Sequence, residues 1–164
     1  MSVALPYSSI ALRAAFGCLL VAIVVRMAII DCREMILPNR LNFLLAGTGV
    51  SQAILIGYPD LTDAAFGALF GFVILGAVAA FFRHLRGIDG LGLGDQKFSA
   101  AAGLWIGWQQ IAPMLLIASC SALAFVTIRS VRERKLDVVA RVPFGPFLGF
   151  GTLVCWLVTV ASGS

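Results

Sequence analysis

Apolar runs long enough to cross a bilayer recur along almost the whole of this chain, and that recurrence restricts the fold more than any other feature. Backbone inside hydrocarbon must satisfy its own hydrogen bonds, so only helices and closed barrels qualify. Barrel strands alternate apolar and polar residues over ~10 positions, whereas Ala14–Val25 and Ala64–Phe82 are apolar on every face. The composition agrees: 60% of residues are hydrophobic, 12% are charged and the mean hydropathy is +1.00, against roughly 25% charged residues in soluble domains. At about 20 residues per span, the 164 residues hold about six spans and no sizeable soluble domain. We therefore expect an all-α membrane protein, a polytopic bundle of about six transmembrane helices forming one domain over residues 1–164.

Hydropathy and chain breakers place the spans near Ile10–Ile30, Leu41–Ile56, Ala64–Phe82, Phe98–Gln110, Ile111–Ile128 and Phe144–Val160. Read as a single helix, Phe98–Ile128 would run roughly 46 Å against a ~30 Å hydrocarbon core. Gln109, Gln110 and Pro113 supply a polar break, which makes the fourth span short. Such a helix survives if neighbours shield its ends or the bilayer thins. The loops 31–40, 83–97 and 129–142 hold ten of the twelve basic residues, while Gly57–Asp63 and Ala161–Ser164 hold none. The positive-inside bias puts those three loops in the cytoplasm and both termini on the far side. The net charge of +4 reflects that bias and contact with anionic lipid rather than a nucleic-acid surface. The first segment, with Arg13 and Arg26 inside it and no basic start, reads as a retained span and not a signal peptide. Cys18, Cys32, Cys120 and Cys155 stand singly, without a Cys-x-x-Cys pair, so no metal site or disulfide framework is expected.

Topology then sorts the acidic residues. Asp60 and Asp63 fall in the external loop, where Tyr58-Pro59-Asp60 marks a turn and Thr62 or Asp63 is placed to cap the third span. Glu133 and Asp137 are interleaved with arginines in a solvated mosaic. Asp31 and Asp95 differ, because each stands beside a cytoplasmic membrane boundary and both can face one small volume. Aspartyl hydrolysis uses two such groups. One carboxylate acts as general base on a water, the other, protonated, polarises the carbonyl, and the two share a proton because like charges a few ångströms apart resist joint ionisation. The simpler alternative is that Asp31 caps a helix or pairs with Arg26 or Arg33, while Asp95 caps the fourth span and pairs with Lys97. The only histidine, His84, lies in a basic loop, and no Gly-x-Ser-x-Gly, His-Glu-x-x-His or Walker pattern occurs.

The residues around the two aspartates carry a resemblance. Asp31-Cys32-Arg33-Glu34-Met35-Ile36-Leu37-Pro38-Asn39 resembles the first motif of the prepilin peptidases, and Gly92-Leu93-Gly94-Asp95-Gln96-Lys97 resembles their Gly-x-Gly-Asp-x-Lys motif. Arg141-Val142-Pro143-Phe144-Gly145-Pro146-Phe147-Leu148 is similar to the segment leading into their last span. The resemblance implies a membrane aspartyl endopeptidase with Asp31 and Asp95 as its catalytic pair and no cofactor. The implied partner is a membrane-inserted pilin or pseudopilin precursor, cut on the cytoplasmic face of a bacterial inner membrane after a glycine between a basic leader and a hydrophobic helix. Larger members of the family carry a cytoplasmic extension with paired cysteines, linked with metal binding, and also N-methylate the new terminus. The pattern here resembles the minimal form associated with tight-adherence pili or similar systems, which leaves methylation and zinc without support.

Gly92, Gly94, Lys97, Pro38 and Asn39 are expected to position substrate or dyad. The glycines permit positive φ and let a substrate backbone approach Asp95 as an added strand, or else simply make a flexible loop. Pro38 presets the second helix, with Asn39 as a cap. Lys97 pairs with a carboxylate or reaches headgroups, and Pro143–Pro146 bends the last span into the bundle. Presenilin-like proteases share Gly-x-Gly-Asp, but their Tyr-Asp and Pro-Ala-Leu patterns do not occur. A non-enzymatic pilus-assembly scaffold or small transporter is the alternative from another class, and it would place carboxylates near the bilayer midplane.

Overall fold

A computed structural model describes residues 7–86, 91–133 and 142–162. Among them the chain forms six helices: α1 (Tyr7–Glu34), α2 (Asn39–Ile56), α3 (Leu61–Arg86), α4 (Leu93–Ile106), α5 (Ile111–Glu133) and α6 (Gly145–Ser162). No strand occurs among the described residues. Four helices carry segments long and apolar enough to cross a membrane: Ile10–Glu34, Leu61–Leu85, Trp108–Arg132 and Gly145–Ser162. Their outward faces keep large apolar side chains exposed, Phe66, Leu116, Leu123 and Val131 among those on the bundle surface, as expected where lipid is the solvent. Arg134, Lys135, Asp137 and Arg141 lie outside the described residues.

The short helix α4, 14 residues long, forms the centre of the bundle. It packs against α2, α3 and α6, and Phe98, Ser99, Ala102, Trp105 and Ile106 are fully buried. Its neighbours therefore shield it, the first of the two ways in which a short helix can survive. Close approach is achieved with small residues, the usual device where lipid offers no hydrophobic drive between helices. A Cβ on Gly103 would collide with the Gly67 backbone, and one on Gly71 with the Ser99 carbonyl. Gly67 and Gly71 stand one turn apart on α3, and Ser99 and Gly103 one turn apart on α4, so two small-residue ridges interlock.

Two boundaries differ from the sequence reading. The polar break falls at Gly107, whose φ of 75° only glycine adopts easily, followed by a 3-10 turn at Trp108–Gln110. Pro113 instead lies in the first turn of α5, where its missing N–H costs nothing. The third helix starts at Leu61, so the residue ahead of it is Asp60, whose carbonyl accepts Ala64 N–H at 2.8 Å. Asp63 does not cap; it accepts a bond from Trp108 Nε1 at 3.2 Å.

At the end of the bundle away from the two aspartates, buried Gln52 ties three helices together. It donates to the carbonyls of Tyr58 (3.2 Å) and Trp105 (3.3 Å) and accepts Trp156 Nε1 at 2.9 Å. Trp105 Nε1 in turn donates to the Leu45 carbonyl at 2.8 Å. These bonds satisfy polar groups that would otherwise be orphaned in an apolar interior.

The Gly67–Gly103 crossing generates a test. Gly103→Val should destabilise the purified protein by an amount typical of overpacking, about 1–3 kcal/mol or more, read as a lower thermal midpoint in detergent; the exposed-face change Leu123→Ala should leave the midpoint near that of the wild type.

Candidate active site

Successive helices run in opposite directions, so the end of α1 and the starts of α2, α4 and α6 meet at one end of the bundle. Met35, in the left-handed region at φ 56°, terminates α1, and its N–H bonds to the Asp31 carbonyl at 2.9 Å. Asp31 thus sits in the last turn of α1 with its side chain turned inward, only 6% exposed. The carboxylate is held by none of the arginines offered as partners. Its Oδ2 accepts the Gly145 N–H at 2.9 Å.

That donor is available because Gly145 begins α6, where first-turn N–H groups have no intrahelical partner. The sequence reading assigned Pro143–Pro146 to a bend. The segment starts the helix instead: the Phe144 carbonyl accepts from Phe147 and Leu148 at 3.1 Å each. The partial positive charge of the α6 N-terminus consequently faces Asp31. A Cβ on Gly145 would stand 2.7 Å from Asp31 Oδ2 and 3.0 Å from Leu37 Cδ2, so a side chain there would push the Asp31 carboxylate aside.

Asp95 lies in the first turn of α4, and Leu93 rather than Phe98 starts that helix. Its Oδ2 accepts the Gly92 N–H at 3.2 Å while its own N–H bonds to the Gly92 carbonyl at 3.2 Å. The capping role weighed against catalysis is therefore present, and the predicted pairing with Lys97 is not. Burial pushes the Asp95 carboxyl up to about 6; the Asp31 charge adds to the rise, and the Gly92 bond opposes it.

The flanking residues agree with the sequence expectation at Pro38 and differ from it at the glycines, Asn39 and Lys97. Among the described glycines only Gly57 and Gly107 have positive φ. Gly92 is extended at φ −77°, ψ 154°, and Gly94 is already helical, so these residues offer no flexible loop and no free strand edge. Gly94 serves close packing: a Cβ there would lie 3.0 Å from Leu37 Cβ. Pro38, at φ −64°, occupies the cap position of α2, and Asn39 makes no cap bond. Asn39 Oδ1 instead accepts Lys97 Nζ at 2.8 Å, which joins the starts of α2 and α4.

Buried Leu37 is therefore the common neighbour of Gly145 and Gly94, and it sits between the two acidic elements. Sequence reasoning missed the roles of Leu37 and Gly145. The available signal was their place inside two of the three motifs. His84 is on the last turns of α3. Among the described residues no three His, Cys, Asp or Glu side chains converge as metal ligands. Cys18, Cys32 and Cys120 are exposed, Cys155 is buried, and all four are free.

Fold and site together define a multi-pass membrane helix bundle with two hydrogen-bonded aspartates at one end. The model of the Type IV leader peptidase family matches residues 18–127, which include both aspartates, and the chain belongs to that family. It is similar to the prepilin leader peptidase/N-methyltransferase of Aeromonas hydrophila, with 34% identity over 85% of this chain and 48% of the relative. The proteins of the same name from Escherichia coli K12 and Pseudomonas aeruginosa are 34% and 33% identical over 80% of this chain, and 57% and 45% of their own lengths. The chain thus spans about half the length of the curated relatives it matches. No solved structure matches it significantly.

A pH test follows from Asp95. With its carboxyl raised from 3.8 to about 6, the folded protein holds a proton between those values that the unfolded chain has released. Stability therefore falls as pH rises across that window and levels off above it. Thermal midpoints in detergent should drop between pH 4 and pH 6.5 in the wild type and drop less in Asp95→Asn; equal slopes would contradict the assignment.

Proposed function

We propose that this protein is a membrane aspartyl endopeptidase that removes the leader from type IV prepilin-like precursors. The observation that supports the reading is the placement of Asp31 and Asp95 at the same end of the bundle, with Leu37 between their elements, each carboxylate accepting a backbone N–H. Family membership and the relatives' shared name supply the substrate class. The positive-inside distribution of Lys and Arg supports a cytoplasm-facing site in a bacterial inner membrane.

In this mechanism the pair carries one proton. Asp31, facing Gly145 N–H and the start of α6, is the better placed to act as the charged base. Asp95, with its raised proton affinity, supplies the acid. Water adds to the scissile carbonyl as Asp31 takes its proton and Asp95 donates to the carbonyl oxygen. The tetrahedral diol then collapses: the C–N bond breaks, a proton passes from the dyad to the departing amine, and a carboxylic acid remains on the leader. Gly145 and Leu37 act as positioning residues, since they hold the Asp31 carboxylate without meeting the reacting atoms.

Co-expression with a pilin-like precursor tests the reading. Asp31→Asn and Asp95→Asn should each abolish processing while the protein still reaches the membrane, and Asp60→Asn should process normally. Gly145→Ala should slow cleavage about tenfold or more, ~1.4 kcal/mol in the barrier, because its methyl displaces the Asp31 oxygen. Retained cleavage in either asparagine variant removes that residue from the dyad. The rate constant kcat/KM should also decline as pH rises through about 6, where Asp95 loses its proton.

A further inference from the structure

Helix α5 leaves the bundle partway along its length. The face that is fully buried at Ile111, Met114 and Ala118 continues, in steps of three and four residues, through Ala122, Phe125 and Arg129. Ala122 is half-buried, Phe125 is 48% exposed and Arg129 is exposed. Every residue from 123 to 129 is exposed, which is about two turns, so the bundle covers no side of that stretch completely. It leans on α6 there, with the rings of Phe125 and Phe147 5.7 Å apart. Helix α3 does the opposite and stays against α4 as far as Ala79, which is buried. The two helices are therefore tied at the far end, where Phe70 meets Trp108 ahead of α5 at 6.2 Å, and they diverge toward the end that carries the aspartates.

The wedge between them ends on Asp95. Along α4, Ala102 and Ile106 follow Asp95 by seven and eleven positions and lie within about 20° of its face. Both are fully buried, in one cluster with Ile111, Met114 and Ala118. Asp95 on the same face is only half-buried, because α5 has moved away at that level. Helix α6 packs on α1, α4 and α5 and does not close the gap. On the α3 side, Ile74, Ala77 and Phe81 continue the face of Phe70, with Val78 beside them, and all four are exposed, Phe81 by 65%. On the α5 side stand Ala122 and Val126. These walls are apolar, and the small Ala77 and Ala122 leave room for another helix to come close.

An occupant of this wedge meets lipid on its open side, apolar side chains on both walls and a carboxylate at its head. A polypeptide lying there has to satisfy its own backbone hydrogen bonds, which a helix does. We propose that the wedge between α3 and α5 admits the apolar transmembrane helix of the precursor sideways from the lipid and holds it with its end beside Asp95. The peptide bond just outside that helix then meets the two aspartates. The inference rests on the protease reading and adds the surface that selects the substrate: a helix laid in a groove, in a site whose glycines offer no strand edge.

The test uses the full-length protein reconstituted in phospholipid vesicles with a full-length prepilin-like precursor. In Asp95→Asn, which leaves the precursor uncut, photoreactive p-benzoylphenylalanine replaces Val78 or Val126 in the wedge, or Phe43 or Leu157 on other exposed faces. Irradiation should join the precursor's apolar helix to the two wedge positions at least ~tenfold more than to the other two. In the active protein, Ala77→Trp should raise KM about tenfold with kcat and the thermal midpoint near those of the wild type, and Leu116→Trp on the outer face should leave KM unchanged. Adducts spread evenly or falling at Phe43 or Leu157, or an unchanged KM in Ala77→Trp, would overturn the wedge while a wild type that cuts the precursor upholds the protease. A folded wild type that cuts nothing contradicts the protease, and adducts confined to Val78 and Val126 would then still uphold the docking.

Discussion

The bond from Gly145 N–H to the Asp31 carboxylate joins the last helix to the end of the first, and the geometry around the two aspartates depends on it. A buried carboxylate in an apolar bundle is expensive unless it is hydrogen-bonded. A free N–H at a helix start supplies that bond together with a favourable dipole. The requirement propagates outward. A side chain at Gly145 would displace the Asp31 carboxylate, Leu37 fills the space beside it, and Gly94 lets Leu37 approach closely. Three segments far apart in sequence are thereby locked to one another within a few ångströms.

The short α4 helix is the second dependency. Its position in the middle of the bundle lets Asp95 enter from the membrane boundary while the rest of the helix is buried by neighbours. Interlocked small residues on α3 and α4 make that burial feasible, and the Gln52 and Trp105 bonds anchor the opposite end. An acidic pair at one rim, supported by a tightly packed shaft, keeps both carboxylates at one end of the bundle without opening it. Proteolysis at a membrane surface needs that arrangement.

Much of the architecture is legible in the sequence because hydropathy is a local property. The apolar runs mark the helices, and the placement of Lys and Arg sorts their ends. The acidic motifs stand out for the same reason. What is not legible depends on neighbours across the bundle. Gly92 and Gly94 look like loop glycines, yet Gly94 is helical and serves contact with Leu37. Asn39 looks like a cap and Lys97 like a partner for a carboxylate, yet the two bond to each other. Pro143–Pro146 looks like a bend and proves to be a helix start whose N–H reaches a carboxylate 114 residues earlier. The break at Gly107 is hidden for a different reason: the polar Gln109 and Gln110 beside it draw attention, although the backbone turn is made by the glycine.

The central claim is that Asp31 and Asp95 form one hydrolytic unit acting on a prepilin-like precursor. The most direct measurement is mass spectrometry of such a precursor incubated with the purified, detergent-solubilised protein. The account predicts a single cut after the glycine at the junction of leader and hydrophobic helix. A precursor that stays intact, while the protein remains folded by its thermal midpoint, would contradict it.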